Sequence, residues 1–152
     1  MGKDLAENFS DARAVFEQAD HALGVSISTL CFTGPENELT DTINAQPALV
    51  THSIAALRVL QKVSRDSNPA FAAGHSLGEF SALVAADALD FEDAVRLVRE
   101  RGRVMKRAGE KNVGAMAAVI GLEEKVLEKV CEETGAQIAN YNEPAQIVIS
   151  GT

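Results

Sequence analysis

The sequence predicts an α/β fold in two parts, and three observations carry that prediction. Gly74-His75-Ser76-Leu77-Gly78 stands between a short apolar run, Pro69-Ala70-Phe71-Ala72-Ala73, and a segment of helical composition, Glu79 to Ala86. This is the strand, sharp turn and helix context that gives the G-x-S-x-G pattern its meaning. Long amphipathic periodicities surround that turn, which suits helices laid on a core. Beyond residue 111 the texture changes to short strand-like runs around one helix. We therefore expect a large part over 1–111, of α/β-hydrolase-like build with a nucleophile elbow, and a smaller part over 112–152.

The elements follow in chain order. Leu5, Phe9, Ala12, Phe16, Ala19 and Leu23 recur at steps of four and three, which predicts one amphipathic helix that Gly24 ends. From Ser28 to Asp41 the Gly34-Pro35-Glu36-Asn37 signal predicts an irregular connection with at most a short helical turn. A second helix is expected from Gln46 to about Val63, with Pro47 at a first helical position. Its apolar residues Leu49, Val50, Ile54, Leu57, Leu60 and Val63 spread round most of its circumference, so it should be largely buried.

After the elbow helix, Asp90 suits the N-cap of a long helix from Phe91 to about Ala108. Gly109 and the run Lys111-Asn112-Val113-Gly114 then break the pattern. Ala115 to Ile120 reads as a strand, Leu122 to Glu133 as a helix, and Gln137 to Tyr141 and Gln146 to Ser150 as strands joined by a turn at Asn142-Glu143-Pro144. The order β-α-β-β is the first part of a ferredoxin-like unit whose closing helix and strand are not in the sequence.

Bulk properties exclude several function classes. With 152 residues and 46% hydrophobic content the chain can bury one sizeable core. A net charge of −8 opposes nonspecific binding to nucleic acid or to an anionic membrane, and no basic cluster with interleaved aromatics is present. Apolar stretches are too short to span a bilayer, and the opening Met1-Gly2-Lys3-Asp4 is not a secretory signal, so a cytoplasmic address is expected. Cys31 and Cys131 lack a C-x-x-C partner, which argues for reduced thiols and no metal.

The chemistry centres on Ser76. The glycines two residues before and after it leave room for a strained turn that lifts its hydroxyl clear, and the Leu77 N–H can stabilise an oxyanion beside it. At about 100° per residue, Arg101 falls on the stripe of Phe91, Ala94, Val98, Gly102 and Met105, while Arg96, Arg99, Arg103 and Arg107 fall on the opposite, solvated face. A guanidinium on a core-facing stripe needs an anion. It could snorkel, pair with a carboxylate such as Glu79, or clamp the carboxylate of a substrate. Of the histidines, His75 should pack beneath the elbow, His52 reads as a satisfied core residue, and His21 lies at a helix end. None reads as a base for Ser76, so that partner is expected outside the chain.

Gly74 to Leu83 resembles the active-site segment of malonyl-CoA:acyl-carrier-protein transacylases of bacterial type II fatty-acid synthesis. Gln46-Pro47-Ala48-Leu49, Arg101 to Met105, Gly114 to Gly121, and Asn140-Tyr141-Asn142 through Ile149-Ser150-Gly151 continue the likeness in order over nearly the whole chain. The resemblance implies that Ser76 carries the malonyl group as an ester between malonyl-CoA and the phosphopantetheine thiol of acyl carrier protein, with no cofactor. It further implies that Arg101 pairs with the malonyl carboxylate and that Leu77 supplies one oxyanion N–H; Asn140 and Asn142 border the family's cleft without an assigned role. In the family a glutamine loop comes before the segment that matches Met1 and the catalytic histidine after the one that matches Thr152, so the chain looks like an interior fragment. On that expectation its own turnover is lower by about 10² to 10⁴ for the base and by about 10² to 10³ for one oxyanion donor. Alternatives that share Ser76 are an acyltransferase domain of a polyketide or fatty-acid synthase, a serine hydrolase of α/β type, and a non-catalytic module that binds CoA or the carrier protein.

Overall fold

Residues 1–64 and 69–152 are described by the structure, a computed structural model. They form two compact units, Met1–Lys106 and Arg107–Thr152. Among the described residues, helices are combined with one sheet, as expected of an α/β chain.

In the first unit the leading periodicity folds as two helices, α1 (Lys3–Asn8) and α2 (Ser10–Leu23), not as the one expected. The break is at Phe9, whose backbone is extended (φ −131°, ψ 119°). Arg13 takes up the carbonyls that the break exposes, its Nε donating to Ala6 O at 3.1 Å and Nη2 to Glu7 O at 3.4 Å. Gly24 ends α2 in the left-handed region, as the sequence indicates.

The connection that follows is more helical than expected. It contains α3 (Ile27–Thr33), capped by Ser26, and α4 (Glu36–Leu39). Next comes α5 (Thr42–Val63), which begins four residues earlier than the sequence reading placed it. Asp41 is the reason: its Oδ1 accepts from Ile43 N at 3.0 Å and its other oxygen pairs with Lys106. Pro47 therefore lies inside the helix, not at its first position. Burial is also narrower than expected, because Leu49, Leu60 and Val63 face solvent.

The core of this unit joins Phe16 and Ile27 with Val50, Ile54, Val95 and Val98 from the long helices. Phe16 meets Phe32 edge-on, ring centroids 4.8 Å apart. Alanines 12, 19, 48, 55 and 94 are fully buried, which lets the helix backbones approach closely. No strand forms over Pro69–Ala73. A strand needs a neighbour to complete its hydrogen bonds, and among the described residues the only sheet is that of residues 115–151.

Helices α6 (Gly78–Ala85) and α7 (Phe91–Lys111) complete the helical part. Asp90 Oδ1 accepts from Glu92 N at 2.8 Å and Asp93 N at 3.4 Å, the N-cap the sequence predicts. Arg96 and Arg99 do not simply face water: Arg96 Nε donates to Ala22 O at 3.2 Å and Arg99 Nη1 to Leu23 O at 3.1 Å. These are terminal carbonyls of α2, the partly negative end of a helix, and basic side chains are drawn to it.

The second unit contains β1 (Ala115–Ile120), α8 (Glu124–Thr134), β2 (Gln137–Glu143) and β3 (Gln146–Gly151). The strands run antiparallel in the order β1-β3-β2. Leu127 and Cys131 of α8 bury themselves against Ile147, with Val119, Ile138 and Ile149 alongside. The alternating apolar positions of the strands thus supply one face for the helix.

Candidate functional site

Ser76 sits at the tip of the turn between residue 74 and α6. Its backbone is in the left-handed region (φ 54°), which a residue with a side chain adopts at a cost of about 1–3 kcal/mol. Three short-range bonds enforce the turn: Gly78 N to His75 O at 2.9 Å, Glu79 N to Ser76 O at 3.3 Å, and Phe80 N to Leu77 O at 3.1 Å. The strain leaves Ser76 exposed at the head of a helix. Leu77 stands at the N-cap position of α6, and among the described residues its N–H has no acceptor. An oxygen that becomes negative beside Ser76 would meet that N–H and the positive end of the helix.

The two elbow glycines have different reasons. A Cβ on Gly74 would lie 2.0 Å from the carbonyl carbon and oxygen of Gly78 and 2.6 Å from Glu79 N, so only hydrogen fits there. A Cβ on Gly78 would meet nothing within 4 Å, and the expected need for room on that side is not seen. His75 is exposed, so it does not pack beneath the turn as expected.

Arg101 reaches Ser76 from α7. Its Nη2 donates to Ser76 Oγ at 2.9 Å, and its Nη1 donates to Gln46 Oε1 at 2.6 Å. Of the three options open to it in the sequence, this guanidinium takes neither Glu79 nor open water but the nucleophile and a buried amide. Close packing fixes its place: a Cβ on Gly102 would lie 2.6 Å from Thr42 O and 2.8 Å from Ile43 Cα, so the bare glycine lets α7 lie directly on the start of α5.

Gln46 was not singled out as a site residue by the sequence. It is 5% exposed, and Nε2 donates to Thr42 Oγ1 at 2.8 Å and to Met105 Sδ at 3.4 Å. The signal available in the sequence was a glutamine one turn after Thr42 in a helix expected to be largely buried, where an unsatisfied amide would be costly.

None of the histidines is hydrogen-bonded to Ser76 among the described residues. His21 lies in the last turn of α2. His52 is not the satisfied residue expected, because among the described residues its buried Nδ1 has no partner. Burial holds its pKa below the ordinary imidazole value, the N-terminal ammonium adds to that, and Asp4 opposes it. Among the described residues no three His, Cys, Asp or Glu side chains are grouped to hold a metal, and no helix is long and apolar enough to cross a membrane.

A strained serine, an N–H with no acceptor among the described residues and an arginine on the serine oxygen thus stand together at the head of α6. The acyl transferase domain family matches residues 1–152. The chain belongs to this family. Among its relatives, the malonyl CoA-acyl carrier protein transacylase of Bacillus subtilis (strain 168) is 51% identical over 158 residues, covering 100% of the chain and 49% of the relative. That of Staphylococcus aureus (strain MRSA252) is 44% identical over 156 residues, with 99% and 49% covered. Solved structures agree. An acyl-carrier-protein-S-malonyltransferase from Bartonella henselae superposes with a TM-score of 0.90 at 47% identity, over 99% of this chain and 50% of that one. A complex of a type II polyketide-synthase acyl-carrier protein with its malonyl-transacylase gives 0.91 at 41% identity, over 99% and 50%. The chain thus spans about half the length of the curated relatives it matches.

Proposed function

We propose that this chain is the nucleophile-bearing part of an enzyme that moves a malonyl group from malonyl-CoA to the phosphopantetheine thiol of acyl carrier protein, in the cytoplasm and without a cofactor. The contact of Arg101 Nη2 with Ser76 Oγ is the observation that carries the reading. It puts a fixed cation where the free carboxylate of a malonyl thioester would lie when Ser76 addresses its carbonyl. A serine hydrolase would share the elbow but has no use for that cation.

On this reading Ser76 Oγ bonds to the thioester carbonyl carbon while its proton passes to a base. The carbonyl π electrons move onto oxygen, and the Leu77 N–H donates to the oxyanion. Collapse of the tetrahedral species breaks the C–S bond, and CoA leaves as a thiolate that takes up a proton. The malonyl ester on Ser76 is then attacked by the thiol of the carrier protein, and Ser76 leaves with its proton restored. Arg101 keeps the carboxylate paired throughout, in a ping-pong cycle.

Residues 1–111 then belong to an α/β-hydrolase-like acyltransferase core and 112–152 to a ferredoxin-like subdomain. The antiparallel order β1-β3-β2, with α8 on one face, supports the second assignment. An acyltransferase domain of a polyketide or fatty-acid synthase would share the elbow and the arginine, and the match to the acyl transferase domain family keeps it as the second reading.

The test is intact-mass measurement after exposure to malonyl-CoA, followed by addition of the phosphopantetheinylated carrier protein. A malonyl adduct that is absent from Ser76→Ala and is discharged by the carrier protein is the expected result. No adduct on Ser76 would leave a binding module only.

A further inference from the structure

We infer that Gln46 is a positioning residue for the acyl-binding guanidinium: its amide fixes the rotation of Arg101 and so decides which nitrogen faces Ser76. The inference rests on the reading of Arg101 as a carboxylate clamp.

The orientation of the amide follows from chemistry. Arginine has only N–H donors, so the end of Gln46 that meets Nη1 at 2.6 Å must be the oxygen. The thioether of Met105 has only lone pairs, so the end that meets Sδ at 3.4 Å must be the nitrogen, which also reaches Thr42 Oγ1 at 2.8 Å. A flipped amide would face a donor with a donor and an acceptor with an acceptor. At 5% exposure no bulk water can make up that loss, so the amide is held in one orientation from both ends.

A held Gln46 oxygen constrains Arg101 in turn. With Nη1 tied back, the guanidinium plane cannot spin about its Cζ–Nε bond without giving up a hydrogen bond, and Nη2 stays on Ser76 Oγ. Either way a carboxylate can fork onto guanidinium, through both terminal nitrogens or through Nε and one of them, it engages Nη2 when Nη1 is held back by Gln46. The acyl carboxylate and the nucleophile would then share one nitrogen, which sets their separation. Gln46 touches neither, yet the alignment depends on it.

The experiment follows the side-chain ¹⁵N signals of Arg101 in the chain by NMR, during titration with malonate. In the wild type we expect separate, slowly exchanging Nη signals that shift on malonate binding. Gln46→Met, which keeps length and volume but removes the oxygen, should merge the Nη signals and weaken malonate by about tenfold or more. Gln46→Glu keeps an acceptor for Nη1: the signals should stay separate, while malonate weakens because a second carboxylate already neutralises the guanidinium. Separate Nη signals in Gln46→Met with malonate affinity within twofold of wild type would overturn the inference. If the wild type binds no malonate but Gln46→Met still merges the signals, the clamp reading fails and the positioning role of Gln46 stands. Should Gln46→Met not fold, as judged by circular dichroism, Gln46→Glu decides through the same signals, and merged Nη signals there would overturn the inference.

Discussion

Gly74 and Gly78 meet backbone to backbone beneath Ser76, and the contact is one-sided: a Cβ on Gly74 would lie 2.0 Å from the Gly78 carbonyl, while a Cβ on Gly78 would meet nothing within 4 Å. Symmetry in the motif hides an asymmetry in its physics. The first glycine is required by space, the second by nothing that a methyl group would touch.

Gly74→Ala should therefore unseat the turn and abolish labelling of Ser76 by a fluorophosphonate, whereas Gly78→Ala should label at a rate within a few-fold of the parent. At the first position of α6, alanine should also raise stability by up to about 1 kcal/mol, read by urea unfolding. Equal loss of labelling in both variants would contradict the geometry.

A second pair of glycines separates packing from propensity. Gly102 and Gly109 both lie inside α7, where alanine is intrinsically better by about 1 kcal/mol. At Gly109 nothing lies within 4 Å of a Cβ, so Gly109→Ala should be stabilising. At Gly102 the methyl would run into the Thr42 carbonyl, and overpacking of this kind costs about 1–3 kcal/mol. Gly102→Ala should thus be net destabilising in urea, and it should also shift the Arg101 side-chain resonances.

His52 gives the stability a pH dependence of known sign. Its folded pKa lies below the unfolded value of about 6.5, chiefly because it is buried. Below that pH the unfolded chain takes up a proton that the folded chain resists, so this contribution is complete above about pH 6.5 and is lost as the pH falls through the folded value. Urea titrations at pH 7 and pH 5 should show a larger loss for the parent than for His52→Leu. The same loss in both would remove His52 from the account.

Much of the site could be read from the sequence because its parts are local. Ser76, its turn and the following helix occupy one continuous stretch, and the Arg101 stripe needs only the helical repeat. What could not be read depends on partners distant in the chain. The break at Phe9 is a local exception: it turns on Arg13 collecting carbonyls of the preceding helix, which the unbroken apolar repeat masks. The early start of α5 relies on Asp41, which Lys106 also holds. Gln46 matters through Arg101 and Met105, both more than fifty positions away. Residues 69–73 show the reverse error, since an apolar run indicates a strand only where something pairs with it.

On the proposed reading, Arg101 makes Ser76 selective for an acyl group that carries a carboxylate. The most direct test of that selectivity is the ratio of malonyl to acetyl adduct on Ser76, measured by intact mass with equal concentrations of the two CoA thioesters, in the parent chain and in Arg101→Ala. The parent should prefer malonyl, and that preference should fall by about tenfold or more in the variant, as expected when a charge-assisted pair is removed. An unchanged ratio would contradict it.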